Sequence, residues 1–294
     1  MDAKVVAGAL FDGSVIALVS AATTVCLDVF GFLNLMLVGA FILGAAEEYQ
    51  FAATGAPQWE RLVAGALAAA IAGFLFDRFA LNPLRKRAAA DLMVAAGLAA
   101  YLIILGYLAV FRLDAVATLP RPLLSERIAN IGGFTFTEMQ ALAVATCIFA
   151  CVALHVAIYR TRFGLGVRAA IDNPAAAQFM GLRADRVPPA AMAAICAVTG
   201  IGGAIFAMHA GSFTIAMPAM VLIAALAACM FAPVGSVGVA AMLSFVLALA
   251  VDAVSAHRPA FSPIVLAVVL LVAIAIGVAV RSKPDAAAAK DAAS

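Results

Sequence analysis

Charged side chains are scarce in this sequence: Asp, Glu, Lys and Arg make up 12% of its 294 residues, while 66% are hydrophobic. Soluble domains average about 25% charged and roughly 45–50% apolar, so a hydrated surface cannot be assembled from this supply. The net charge of +2 is too small to recommend nucleic acid as a partner. No glycine-rich phosphate loop and no metal-binding motif occurs, so neither a cofactor nor a metal is expected. An intramembrane enzyme would need convergent nucleophile, base or metal ligands, and no such constellation is visible. The five cysteines, Cys26, Cys147, Cys151, Cys196 and Cys229, all lie in apolar runs. There they read as small buried hydrophobes rather than a disulfide framework, and Cys147 with Cys151 supplies too few ligands for a metal site.

What the sequence has in quantity is long apolar runs. Crossing a hydrocarbon layer roughly 30 Å thick takes about 20 residues of helix, because lipid offers the backbone no hydrogen-bond partners. Runs of that size fall at about 5 to 27, 29 to 46, 62 to 81, 92 to 111, 139 to 159, 187 to 209, 215 to 233, 236 to 255 and 262 to 280. The expected fold is therefore an all-α, polytopic membrane bundle of about eight or nine crossings. The second run is short and contains Gly31, Asn34 and Gly39, which predicts a broken or re-entrant helix buried against protein. Lys4 and the apolar stretch after it resemble a signal peptide, but Asp2 and Asp12 interrupt the pattern, and the first run is expected to remain as a helix.

Cations cluster at Arg78, Arg85, Lys86 and Arg87, at Arg160, Arg162, Arg168, Arg183 and Arg186, and at Arg281 and Lys283. Those segments are expected in the cytoplasm. The loops holding Glu47, Glu48 and Glu60, the segment 112–138 and the stretch around His257 and Arg258 are then outside. Nine crossings satisfy this pattern with the N-terminus outside and the C-terminus inside. Residues 1–281 form one membrane domain, and 282–294, rich in Ala, Lys and Asp, are expected to be a disordered tail. Small residues at every fourth position, Gly65, Ala69 and Gly73, then Gly203, Ala207 and Gly211, predict close helix packing.

Intramembrane polar groups are few, and each costs enough in lipid to be a functional candidate. Thr24, Asp28 and Asn34, with Thr23, lie near the junction of the first two runs. They would line a polar path or meet a substrate ammonium group; alternatively, Asp28 sits solvated in a cytoplasmic turn. Asp12, Asp77 and Asp252 fit interfacial positions, with Arg78 the expected partner of Asp77. His155 and His209 fit helix-end packing.

The loop 160–187 has internal design. Asn173 followed by Pro174 is a helix start, Ala175 to Met180 are helix-compatible, and Gly181 is a stop. Ala176, Phe179 and Met180 would present an apolar face flanked by arginines, suited to a groove on another protein or to a membrane surface with its lipid. This stretch, through Arg160, Thr161, Arg162, Gly164, Arg168, Ala169, Asn173, Pro174, Ala176, Ala177, Met180, Gly181, Arg186 and Val187, resembles the cytoplasmic coupling loop of the branched-chain amino acid ABC permease family, the LivH-type subunit. The resemblance extends to Gly13, Ser14, Ala17, Leu18, Thr24 and Asn34, to Leu43, Gly44 and Ala45, and to the turn from Ala232 to Ala240. Leu35, Met36, Leu37 and Val38 depart from it, standing where the family carries an aromatic, a small residue, His and Gly.

The resemblance implies a transport subunit of an ATP-driven importer for branched-chain or related amino acids, not an enzyme in its own right. ATP would be bound and hydrolysed by separate ATP-binding cassette subunits. Arg162, Gly164, Arg168, Asn173, Pro174, Ala176, Ala177, Met180 and Gly181 would couple to them. A second permease chain and a periplasmic solute-binding protein are the other implied partners. A stand-alone channel or secondary transporter is the competing class; it would need mid-depth carboxylates or a pore-lining ring, of which the sequence has few.

Overall fold

The computed structural model describes residues 3–85, 90–111, 117–118, 128–131, 134–179, 181, 186–210, 212–213, 217–233, 235–257, 268 and 272. Helix α1 (Ala3–Val25) runs on as a π-helical turn, Cys26–Phe30, and after a short break α2 (Met36–Ala53) begins. Helix α3 (Gln58–Phe76) likewise continues through a π turn, Asp77–Leu81, into α4 (Asn82–Arg85), and α5 (Ala90–Phe111) follows. Next come α6 (Glu138–His155) with its own π turn Val156–Arg160, the short helices α7 (Arg162–Asp172) and α8 (Pro174–Phe179), then α9 (Val187–Ala210), α10 (Met217–Phe231) and α11 (Val237–His257).

Six stretches among the described residues are long and apolar enough to cross a membrane: Val6–Phe30, Gln58–Arg85, Asp91–Leu108, Glu138–Arg160, Val187–Ala210 and Val237–Ser255. Helices α2 and α10 accompany them without reaching that standard, α2 because Glu47, Glu48 and Gln50 occupy its second half. The expected span 262–280, save Val268 and Val272, and the expected tail 282–294 lie outside the described residues. The segment between α5 and α6 holds short strands that an all-α reading did not anticipate. Strand β1 (Ala117–Thr118) pairs with β4 (Ser212–Phe213), and β2 (Ile128–Ile131) pairs antiparallel with β3 (Phe134–Thr137), Ile131 opposite Phe134. Thr137 then starts α6 with a capping box: its Oγ1 accepts from the Gln140 N–H at 3.4 Å, and Gln140 Oε1 accepts from the Thr137 N–H at 3.1 Å.

The centre of the bundle is α1, α2 and α9. The α1 span is 89% buried inside the protein and the α9 span 72%, against 17% for α5, so α5 offers most of its surface to surroundings outside the chain. Lipid gives helices no hydrophobic reason to associate, and contact must come from close backbone approach. Glycine supplies it. A Cβ on Gly44 of α2 would overlap the Gly200 carbonyl of α9, one on Gly65 of α3 would lie 3.1 Å from the Gly44 oxygen, and one on Gly203 would overlap the Phe41 carbonyl. Gly73, at the far end of the expected α3 stripe, admits Cys196, whose Sγ would stand 2.6 Å from an added Cβ. Gly211 lies outside the described residues. A second group forms around α1, which packs on α11, α10 and α6; there Gly13 makes room for the Phe245 ring. All five cysteines are buried, as apolar packing residues would be, and among the described residues none forms a disulfide. Among the described residues no group of three metal-capable side chains occurs.

One expectation fails at the end opposite the arginine clusters. Glu47 and Glu48 are not in a loop: α2 continues to Ala53, and the connection is the four residues 54–57, turned at Gly55 with φ 73°. This helical hairpin sets Glu48, wholly buried, against Arg61 of α3 with Oε1 2.8 Å from Nη1. Among the described residues Glu48 Oε2 and Arg61 Nε have no hydrogen-bond partner. At the same end His209 stacks on Phe11, ring centroids 3.9 Å apart, and Asp252 lies beside Gly8.

Two stability outcomes are expected. Gly200→Val should lower the midpoint of unfolding in detergent by an amount corresponding to about 1–3 kcal/mol of overpacking, whereas Gly106→Val, at a glycine with open space around it, should leave it unchanged. Glu48→Ala strands the Arg61 guanidinium and should cost about 3–5 kcal/mol, most of it regained in the apolar double variant Glu48→Leu/Arg61→Met. Thermal denaturation of the purified variants reads both.

Candidate functional site

Arg78 and Arg85 of the first cationic cluster and Arg160, Arg162, Arg168 and Arg186 of the second lie at one end of the bundle, where α1, α3 and α6 each finish in a π-helical turn. Such turns insert an extra residue into the helical ladder and occur often at functional sites. Polar side chains on these turns join neighbouring elements, among them Asp28, Asp77 and Tyr159.

Asp77 does not pair with its sequence neighbour Arg78. It is fully buried and receives both guanidinium nitrogens of Arg85, eight residues on, one of them at 3.2 Å. The π turn and α4 bring the chain far enough round for Arg85 to reach back, while Arg78 is carried on a different face. The Arg85 guanidinium also lies 5.0 Å from the centroid of Phe30, a cation–π contact that fastens the end of α3 to the end of α1.

The break between α1 and α2 is at Gly31, whose φ of 74° would strain any other residue. Asn34 is completely buried there. Its Oδ1 accepts from the Met36 N–H at 3.0 Å, starting α2, and its Nδ2 lies 3.3 Å from Met192 Sδ on α9. Gly97 of α5 leaves the space for it, since an added Cβ would stand 3.0 Å from Oδ1. The expected span 29–46 is thus displaced, its helix being Met36–Ala53. Thr24 is buried and donates to the Ser20 carbonyl at 2.8 Å; Thr23 does the same to Val19 at 2.7 Å. Asp28 is half-buried rather than freely solvated. Its Oδ2 accepts the Tyr159 O–H at 2.9 Å and the Gly235 N–H at 2.6 Å. Thr24, Asp28 and Asn34 therefore follow one another along the end of α1 and the break, but each engages different partners.

The described residues within 160–187 hold two short helices. The first, α7, was not anticipated; Thr161 caps it, its Oγ1 accepting from the Gly164 N–H at 3.3 Å, and Gly164 sits directly against the Ile158 carbonyl. Gly164, Gly166, Val167 and Ala170 form its buried face. The second, α8, starts and stops as its sequence predicts. Asn173 Oδ1 accepts from the Ala176 N–H at 3.0 Å, Pro174 takes the first helical position, and Gly181 closes the turn with φ 79° and its N–H on the Gln178 carbonyl at 2.9 Å. Ala177 faces inward and packs on Ala170 of α7. Arg162, Ala176 and Gln178 are exposed, and Phe179 is 94% exposed; Met180 is outside the described residues. Arg168 is half-buried, its guanidinium 5.9 Å from the centroid of the Tyr159 ring. Sequence reasoning passed over Tyr159, Arg85 and Gly235, whose partners lie on other elements or a full π turn away.

The family described as branched-chain amino acid transport system / permease component matches residues 5–278. A probable branched-chain amino acid transport permease protein LivH of Methanocaldococcus jannaschii is 29% identical over 132 residues, covering 44% of this chain and 42% of that protein. A nucleoside ABC transporter permease protein NupC of Lactococcus lactis subsp. cremoris is 34% identical over 127 residues, 43% of this chain and 39% of that one. The similarity to these curated relatives thus spans about two fifths of their length. No solved structure matches. With the family match running through every described helix, from α1 to α11, the chain belongs to the branched-chain amino acid transport system permease components.

Proposed function

We propose that the chain is the membrane-spanning subunit of an ATP-driven importer, that it forms the path for a branched-chain amino acid or related solute, and that it meets a separate ATPase subunit through residues 160–187. The observation that supports this most directly is Phe179, 94% exposed and placed between the span ending at Arg160 and the span starting at Val187. A large apolar side chain left in water forgoes about 1.5–3 kcal/mol of burial, and a groove on a partner accounts for its position. Arg162 and Ala176 share the exposed surface. Asn173, Pro174 and Gly181 shape α8, Met180 lies between its end and that stop, Ala177 holds it on α7, and Gly164 and Arg168 hold α7 on the bundle.

In this reading ATP is bound by the partner, whose closure shifts α8 and favours one of two bundle states of different solute access. The arginine-rich end is cytoplasmic, the N-terminus periplasmic and the membrane the bacterial inner membrane. Thr24, Asp28 and Asn34 contribute polar groups along the path beside the α1–α2 break. A second permease chain and a periplasmic solute-binding protein complete the assembly. Similarity to a protein named for nucleoside transport favours one second solute class, nucleosides.

Purification of the tagged protein from its own host in mild detergent should bring ATPase subunits with it, and Phe179→Asp should lose them while remaining monodisperse. Undiminished co-purification with Phe179→Asp removes α8 from the contact. ATP-dependent uptake by vesicles of radiolabelled leucine and, separately, of radiolabelled uridine separates the solute classes: accumulation of uridine without leucine replaces the amino acid reading.

A further inference from the structure

The contacts around Asp28 link three stretches that are distant in sequence: the end of α1, the consecutive end of α6 and α7, and the turn between α10 and α11. Arg168 of α7 lies over the Tyr159 ring at the end of α6. The Tyr159 hydroxyl donates to Asp28 Oδ2, at the end of α1, and the same oxygen accepts the backbone N–H of Gly235, in the turn between α10 and α11. Gly235 holds φ 81°, and a Cβ there would stand 3.8 Å from the Tyr159 ring, so the turn presents its N–H where an ordinary residue would be strained. Hydrogen bonds to a carboxylate are about twice as strong as neutral ones. One oxygen thus ties α1 both to α6 and to the α10–α11 turn. Helix α8 is seated on α7 through Ala177 and Ala170, which makes α7 and α8 a single lever whose attachment to the bundle includes Arg168 on Tyr159.

Helices α1, α10 and α11 pack on one another as one group, and α2, α3 and α9 as another. The Asp28 contacts reach the first group. We propose that Arg168, Tyr159, Asp28 and Gly235 form a relay that transmits displacement of α7–α8 to the α1–α10–α11 group, with Tyr159 and Asp28 as positioning residues. The relay's use in transport rests on the importer reading above; its existence as a mechanical link does not.

The test has two arms. In the purified chain alone, spin labels at Ala176→Cys on α8 and Val239→Cys on α11 occupy exposed sites, while the native cysteines are buried. Double electron–electron resonance should give a narrow distance distribution that broadens or shifts in Tyr159→Phe and equally in Asp28→Asn; an unchanged distribution in both overturns the relay. In proteoliposomes of the permease with its co-purifying ATPase, second permease chain and solute-binding protein, Tyr159→Phe should keep ATP hydrolysis and lose solute uptake per ATP by about ten-fold or more, the scale of a lost hydrogen bond to a charged group. A ratio equal to that of the unaltered protein overturns the relay while the importer reading stands. If no ATPase accompanies the unaltered protein, the importer reading fails and the distance measurement alone decides the relay.

Discussion

Backbone approach between α2, α3 and α9 is the constraint on which the other elements depend. In lipid, burying an apolar side chain against another gains little over leaving it in hydrocarbon, so the helices are held by van der Waals contact at short range. Gly44 against Gly200, Gly65 against Gly44 and Gly203 against Phe41 bring three backbones together with no side chain between them. That leaves α2, with its two glutamates and its broken start, enclosed by α3, α5 and α9. Only inside such an enclosure can Glu48 be carried away from water, with Arg61 supplied by the next helix. The same enclosure fixes where Asn34 sits, because α2 begins where α9 and α5 leave room for a carboxamide.

The apolar runs and the small-residue stripes were legible in the sequence because their physics is local or periodic. Lipid demands length and hydropathy of each span separately, and a stripe at every fourth position lies on one face whatever it packs against. The boundaries of α8 were legible for the same reason: Asn173, Pro174 and Gly181 act on backbone groups within a few residues. Outward presentation of Ala176 and Phe179 follows once those boundaries are set. Ala177 is different, since its inward position depends on α7, which arginine content and two glycines had disguised as loop.

Polar pairing was not legible, and the reason is geometric. Asp77 takes Arg85 rather than Arg78 because a π turn and a short helix intervene and change which side chains share a face. Asp28 meets Tyr159 and Gly235 across separations of 131 and 207 residues, a distance no periodicity reports. Glu48 appeared to belong to a loop because hydropathy falls there, yet a helix tolerates the fall when a buried cation compensates it. A scarcity of charge thus conceals how the few charges are used: each one that is buried must find a partner, and the partner is chosen by tertiary packing.

The distribution of those partners says how the bundle is divided. Away from the arginine-rich end, the middle of the bundle is held by glycine contacts and apolar side chains, which are short-ranged and permit neighbouring groups to be displaced only as units. At the arginine-rich end, the three π turns replace such contacts with hydrogen bonds and cation–π contacts between groups: Arg85 with Phe30 across α3 and α1, Asp28 with Tyr159 and Gly235 across α1, α6 and the α10–α11 turn. Directional bonds of this kind can exchange between discrete partners without opening a void, whereas close-packed glycine seams cannot slide without overlap or loss of contact. A permease must change which side of the membrane its path faces while keeping its core intact. Placing the exchangeable contacts beside α7 and α8, and the rigid ones in the middle, is the arrangement that meets both requirements in one chain.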